Sequence, residues 1–203
     1  MFISSDLSWD IQVREITRKV NGALSRLRYR GDILSLEVRK ILVQSLVFPL
    51  IDYFCVLQTN ITKDQNTKLD RLLNRCIRFI FRLRRDTSIT PYRRQLGWLT
   101  ASKRRDYFIA LTFYRYQSSM QPPYYSEFLP KIDESIRRSI RLNPLKSLEI
   151  VYDLPRTNSD SLSDSFFYSA YTLWQTLPVR LRTITYIETF RIHLFNYLFA
   201  NDI

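Results

Sequence analysis

The sequence predicts a mainly α fold: a basic three-helix bundle over residues 1–85, then a second helical region over 86–203 with a candidate small β-hairpin. Three observations predict it. Apolar residues recur at i, i+3, i+4 and i+7 in successive segments. Only three glycines, Gly22, Gly31 and Gly97, occur in 203 residues, and glycine weakens helix interiors. Capping residues stand ahead of the periodic segments, and Gly or Pro stands behind them.

Phe2–Ile3 read as the tail of a strand whose start is missing. Ser8 or Asp6 then caps a first helix over about Trp9–Tyr29, with Ile16, Val20, Ala23, Leu24 and Leu27 on its apolar face. Gly31-Asp32 ends it. Ser35 can cap a second helix, which Pro49 should kink or break near Phe48; the run Tyr53–Leu57 is expected to continue as helix. Thr62 caps a third helix, and Gln65 three residues on completes a capping box. Pro91 at a helix start and Gly97 at its end mark a short fourth helix. Thr100 or Ser102 opens a fifth, and Pro122-Pro123 stops it. Ile136–Leu142 and Leu148–Tyr152 cluster like short strands, the candidate hairpin. Helix returns over Ser165–Thr176. Thr185 with Glu188 reads as a second capping box opening the last helix, to about Phe199.

The formal net charge is +12, and it is uneven. Residues 1–120 hold 22 Lys and Arg against 10 Asp and Glu; residues 121–203 hold 9 of each. The basic function is therefore expected in the first 120 residues, with nucleic acid or an anionic surface as partner. The sharpest feature lies in Thr62–Arg85. Leu69, Leu72, Leu73, Cys76, Ile77, Ile80 and Phe81 form one face. Lys68, Arg71, Arg75, Arg78, Arg82 and Arg85 repeat the same spacing opposite, within an arc of roughly 100° at about 100° per residue. Such a helix buries one face and offers the other to an anion; the blander alternative is a solvated face. Arg14, Arg18 and Lys103, Arg104 and Arg105 are candidate supporting cations.

Several chemistries have no residues to carry them. Three scattered glycines cannot build a phosphate-binding glycine loop. Two cysteines without CxxC spacing and one histidine, His193, do not make a usual zinc site. No cofactor is expected. Asp133-Glu134 is the one adjacent acidic pair, in a polar linker, so no clustered carboxylates are available to a two-metal polymerase or nuclease. Cys55 and Cys76 sit in apolar runs and read as buried thiols of an intracellular protein, nuclear or cytoplasmic. The apolar run Ser45–Leu57 is short and broken by Pro49 and Asp52, so no membrane span is expected. Trp9, Trp98 and Trp174 read as core anchors rather than base-stacking platforms.

Seven segments carry a resemblance. They are Asp6-Leu7-Ser8-Trp9, then Leu46-Val47-Phe48-Pro49-Leu50-Ile51-Asp52-Tyr53, then Leu69–Arg78. Thr90-Pro91 with Leu96-Gly97-Trp98-Leu99 and Lys103-Arg104-Arg105 is the fourth, and Pro122-Pro123-Tyr124-Tyr125 the fifth. Pro155-Arg156-Thr157-Asn158 with Ser165-Phe166-Phe167-Tyr168 follows, and Leu173-Trp174-Gln175-Thr176-Leu177-Pro178 closes the series. In this order they resemble the region after the catalytic palm in reverse transcriptases of non-LTR (long-interspersed-element) retrotransposons, especially Jockey-like and related animal clades. The chain departs from that family at Gln58, where Trp is frequent, and at Gln175-Thr176, where Asn-Ser is frequent. Fingers, palm with its paired aspartates, and endonuclease have no counterpart here.

The resemblance implies the thumb and C-terminal part of an RNA-directed DNA polymerase, not an enzyme by itself. It implies nonspecific binding of primer–template nucleic acid, an RNA–DNA hybrid or duplex, with a separate palm-containing polypeptide as a candidate partner. The alternative function is a helical protein–protein interaction module whose basic stripe meets an acidic partner. Peripheral membrane binding through the same cations is the weakest reading, because the helix's other face is needed for the core.

Overall fold

A computed structural model describes residues 8–29, 31–119 and 163–202. The protein is mainly helical, with no strand among these residues. The expected hairpin over 136–152 lies outside them. The elements are α1 (Asp10–Tyr29), α2 (Leu36–Leu46), α3 (Phe48–Asp52), a 3-10 turn (Cys55–Leu57), α4 (Lys63–Phe81), α5 (Thr90–Leu96), α6 (Ala101–Ser119), α7 (Phe166–Thr176), α8 (Val179–Arg182) and α9 (Ile187–Ala200).

Two compact units are present: residues up to Arg105 with Asp202, and Asp106–Asn201. The sequence places a boundary near residue 85; the first compact unit runs on to Arg105, and Trp98 and Ala101 belong to the same apolar core as α1–α4.

In the first unit, Val13, Ile16, Val20 and Leu24 of α1 meet Leu69, Leu72, Leu73, Cys76, Ile77 and Ile80 of α4, closed by Val43, Val47, Phe48 and Ile51. The periodic positions are thus the buried ones, as removal of apolar surface from water requires. Trp98 is buried and meets the Phe48 ring edge-on at 4.6 Å. Trp9 is half-buried, its indole N–H donating to Asn60 Oδ1 at 2.6 Å.

The caps explain where helices start. Ser35 Oγ accepts from the Val38 N–H. Thr62 and Gln65 exchange both bonds of the capping box, at 3.0 and 3.2 Å. Pro91 stands in the first turn of α5, and Gly97 ends it at φ 66°, where a side chain would be strained. α2 gives way to α3 at Val47, just ahead of Pro49. The segment after α3 does not continue as α-helix: Phe54 takes a left-handed conformation (φ 57°) and only a 3-10 turn follows.

Leu36–Leu57 has the length and composition to cross a membrane, with mean hydropathy 1.7. Here it is not one straight helix but α2, α3 and the 3-10 turn. Val43, Val47, Phe48 and Ile51 face the core, while Val38, Ile41 and Leu46 are exposed.

The second unit has an aromatic core. Tyr114 stacks on Phe190 at 4.3 Å, and Trp174 lies 5.4 Å from Phe113 and 5.6 Å from Phe190. Ser165 caps α7 through the Tyr168 N–H. The capping box expected from Thr185 and Glu188 does not form. α9 begins one residue later, with Tyr186 as its N-cap and no side-chain cap bond, so Thr185 stands outside the helix. His193 is exposed on α9.

Candidate nucleic-acid interface

The predicted stripe is a helix face only in part. α4 ends at Phe81, so Lys68, Arg71, Arg75 and Arg78 ride the helix, Arg82 is its left-handed C-cap (φ 55°), and Arg85 lies in the turn beyond. The Leu83 N–H donates to the Arg78 carbonyl, the bond of a Schellman stop. The chain reverses there because Arg82 is anchored elsewhere: its Nη2 donates to the Gly31 and Asp32 carbonyls at 2.9 and 2.8 Å.

The cations sort into three groups. The side chains of Lys68, Arg71 and Arg85 are exposed and make no hydrogen bond or ion pair among the described residues; that of Arg14 on α1 is alike. Arg75, Arg78 and Arg82 are braced by neutral oxygens, and Arg82 also has the exposed Asp32 carboxylate at 3.9 Å. Arg75 Nη1 donates to Asn21 Oδ1 at 2.7 Å. Arg78 donates to the carbonyls of Arg84, Arg85 and Thr87 at 3.4, 3.0 and 3.4 Å. Such bonds fix a guanidinium without neutralising it, and leave further N–H groups for a ligand.

The third group is engaged within the fold. Arg104 makes a two-pronged pair with Asp52, at 2.5 and 2.6 Å, and lies 4.1 Å over the Phe48 ring. Arg105 is buried and donates twice to Asn66 Oδ1 at 3.0 Å. Lys103 is half-buried. These residues begin α6, whose Ala101 N–H donates to the Asp70 carboxylate; burial holds that carboxyl above its usual value, against the pull of the same bond. Arg18 forms a two-pronged pair with Glu15, at 2.9 and 2.6 Å. That bond lowers the Glu15 carboxyl and raises the guanidinium. Arg18 lines a different groove, between α1 and the α2–α3 corner, beside Leu46 and Leu50.

Two concavities hold the remaining cations. A groove of about 340 Å³ between α1 and α4 is lined by Arg14, Lys68, Arg71 and Arg75. A bowl of about 900 Å³ at the far end of α4 is lined by Arg28, Arg39, Arg75, Arg78, Arg82 and Arg85. Arg75 belongs to both, so the basic surface is continuous.

Arg28 and Arg39 are absent from the sequence reading. Arg28 had a signal: Arg14, Asn21 and Arg28 stand seven apart on α1, on the side that meets the basic edge of α4. Arg39 had none, since it arrives from α2. It is 7% exposed and donates to the Phe79 carbonyl at 3.0 Å. Burial, with Arg82 nearby, lowers its guanidinium from the usual value.

Both cysteines are free and buried. Burial pushes each thiol up to about 12, so neither is a nucleophile near neutral pH. Among the described residues no three His, Cys, Asp or Glu side chains come together as a metal site would need. No protein-family model, curated protein or solved structure matches the chain.

Proposed function

We propose that the chain binds duplex nucleic acid without sequence preference, as the non-catalytic thumb-like part of a non-LTR retrotransposon reverse transcriptase. One observation carries the binding: Arg14, Lys68, Arg71 and Arg75 line a single groove between two helices, and the first three of them have no partner among the described residues. Unpaired cations along a groove neutralise successive phosphates and release counterions, contacts that carry no base sequence. The link to that polymerase class rests on the seven ordered segments. An RNA–DNA hybrid is the expected duplex.

The test is salt dependence. Log affinity for a hybrid of arbitrary sequence should fall linearly with log salt, by about 0.9 per phosphate neutralised. Lys68→Ala with Arg71→Ala should weaken every sequence alike and reduce that slope by roughly two. Affinity indifferent to salt, or a double variant that binds like the parent, sinks the groove as the interface.

A second reading keeps the cations and gives them an acidic protein. The apolar face of α2 favours it, since Ile41 is 60% and Leu46 49% exposed, more than a solitary surface residue would explain. Capture of one acidic protein that survives nuclease treatment, and that Ile41→Glu abolishes, would select this reading.

A further inference from the structure

The bowl differs from the groove in size, about 900 against 340 Å³, and in the arginines gathered around it. The bowl is walled by α1, the turn after it, α2, α4 and the turn following α4. Its size lies within the range of small-ligand sites, about 300–1,000 Å³. Its six arginines face one acid, Asp32, whose side chain is fully in solvent.

Its arginines are also held in place. Arg39 donates to the Phe79 carbonyl, Arg82 to Gly31 and Asp32, Arg78 to the turn at 84–87, and Arg75 to Asn21. The oxygens that accept these bonds are uncharged, so they orient the guanidinium groups without neutralising them; Arg82 alone also has a carboxylate near, Asp32 at 3.9 Å, and that side chain is fully in solvent. The chain passes close here: a side chain at Gly31 would sit 3.3 Å from both the Arg28 carbonyl and the Phe79 ring. Arg28 and Arg85 complete the rim without partners among the described residues. A concave set of fixed guanidinium groups suits a compact anion of several charges, because each planar fork can take two phosphate oxygens.

We propose that the bowl is a discrete site for a linear triphosphate group, carried by a free nucleotide or by the 5′ end of an RNA. The proposal stands on the bowl's geometry and does not require the groove to bind duplex.

The experiment titrates the full chain with sodium tripolyphosphate at constant ionic strength, by calorimetry. The expected result is saturable one-to-one binding, with orthophosphate at least about tenfold weaker. Arg28→Ala with Arg85→Ala should weaken tripolyphosphate about tenfold or more at unchanged melting temperature, since both side chains are exposed and support nothing else. Lys68→Ala with Arg71→Ala should leave tripolyphosphate binding intact, even where it abolishes duplex binding. Absence of saturation, parental affinity in Arg28→Ala/Arg85→Ala, or equal losses in the two double variants would each overturn a discrete site. Competition by ATP would support a free nucleotide as the source. Competition by 5′-triphosphorylated RNA, with none from ATP or from the same RNA bearing a 5′-hydroxyl, would support a chain end. Failure of both to displace tripolyphosphate would overturn the proposal.

Discussion

The middle of α4 and the start of α6 present the same sequence signal, arginines crowded beside apolar residues, and the fold treats them in opposite ways. At α4, Lys68 and Arg71 are exposed and have no partner among the described residues. At α6, Arg104 lies over Phe48 with both prongs on Asp52, and Arg105 is buried on Asn66. The difference is the supply of oxygens. The α6 start packs against α3 and the first turns of α4, which bring Asp52 and Asn66 to it. The outer edge of α4 faces α1, whose Asp10 accepts from Gln65 and whose Asn21 accepts from Arg75, while Lys68 and Arg71 find no acceptor within bonding distance among the described residues. A cluster of cations thus marks a ligand surface only where the fold withholds the acceptors that would satisfy it.

The largest expected effect of a single substitution separates the two regions directly. Arg104→Ala removes a paired, partly buried cation and leaves Asp52 without it, at a cost of about 2 kcal/mol in stability. Urea denaturation measures this, and a loss below that of a surface substitution would erase the distinction.

Next come the thiols, one beneath each region. Cys76 lies on α4's buried face, and Cys55 shares its surroundings with Asp52, Arg104 and Arg105. Each thiol rises from 9.0 to about 12 in the fold. The folded chain therefore keeps a proton that the unfolded chain gives up. Stability is full below pH 9 and falls as pH rises towards 12, by about 1.4 kcal/mol per pH unit for each thiol. Urea midpoints at pH 8.5 and 10.5 should show the fall, and Cys55→Ala with Cys76→Ala should flatten it. Equal slopes in parent and variant would place the thiols in water.

The smallest effect is the sharpest contrast. Lys68→Ala with Arg71→Ala should change stability by no more than about 0.5 kcal/mol, because neither side chain supports the fold. The same substitutions carry the largest expected loss of nucleic-acid binding. A stability loss matching that of Arg104→Ala would show that α4's edge is structural too.

Local signals were legible residue by residue. The apolar period put Leu72, Leu73, Cys76, Ile77 and Ile80 in the core, and Thr62, Ser35, Ser165 and Gly97 marked helix ends, because caps and periodicity act within a few residues. Where local signals competed, the reading slipped. Thr185 and Glu188 have capping-box spacing, yet the helix begins after Thr185. The stripe continued in sequence to Arg85, yet the helix stopped at Phe81 because Arg82 is held by carbonyls some fifty residues away.

By itself, then, the sequence determined a helical protein with its positive charge gathered in the first 120 residues, since both follow from composition and short-range spacing. Tertiary structure alone decided which cations remain available. Arg104 and Arg105 were withdrawn by Asp52 and Asn66, Arg18 was turned to another groove, and Arg28 and Arg39 were added to the bowl. The reason is physical: a charge is neutralised or left bare by groups within a few ångströms, and those groups come from distant parts of the chain that only folding brings near.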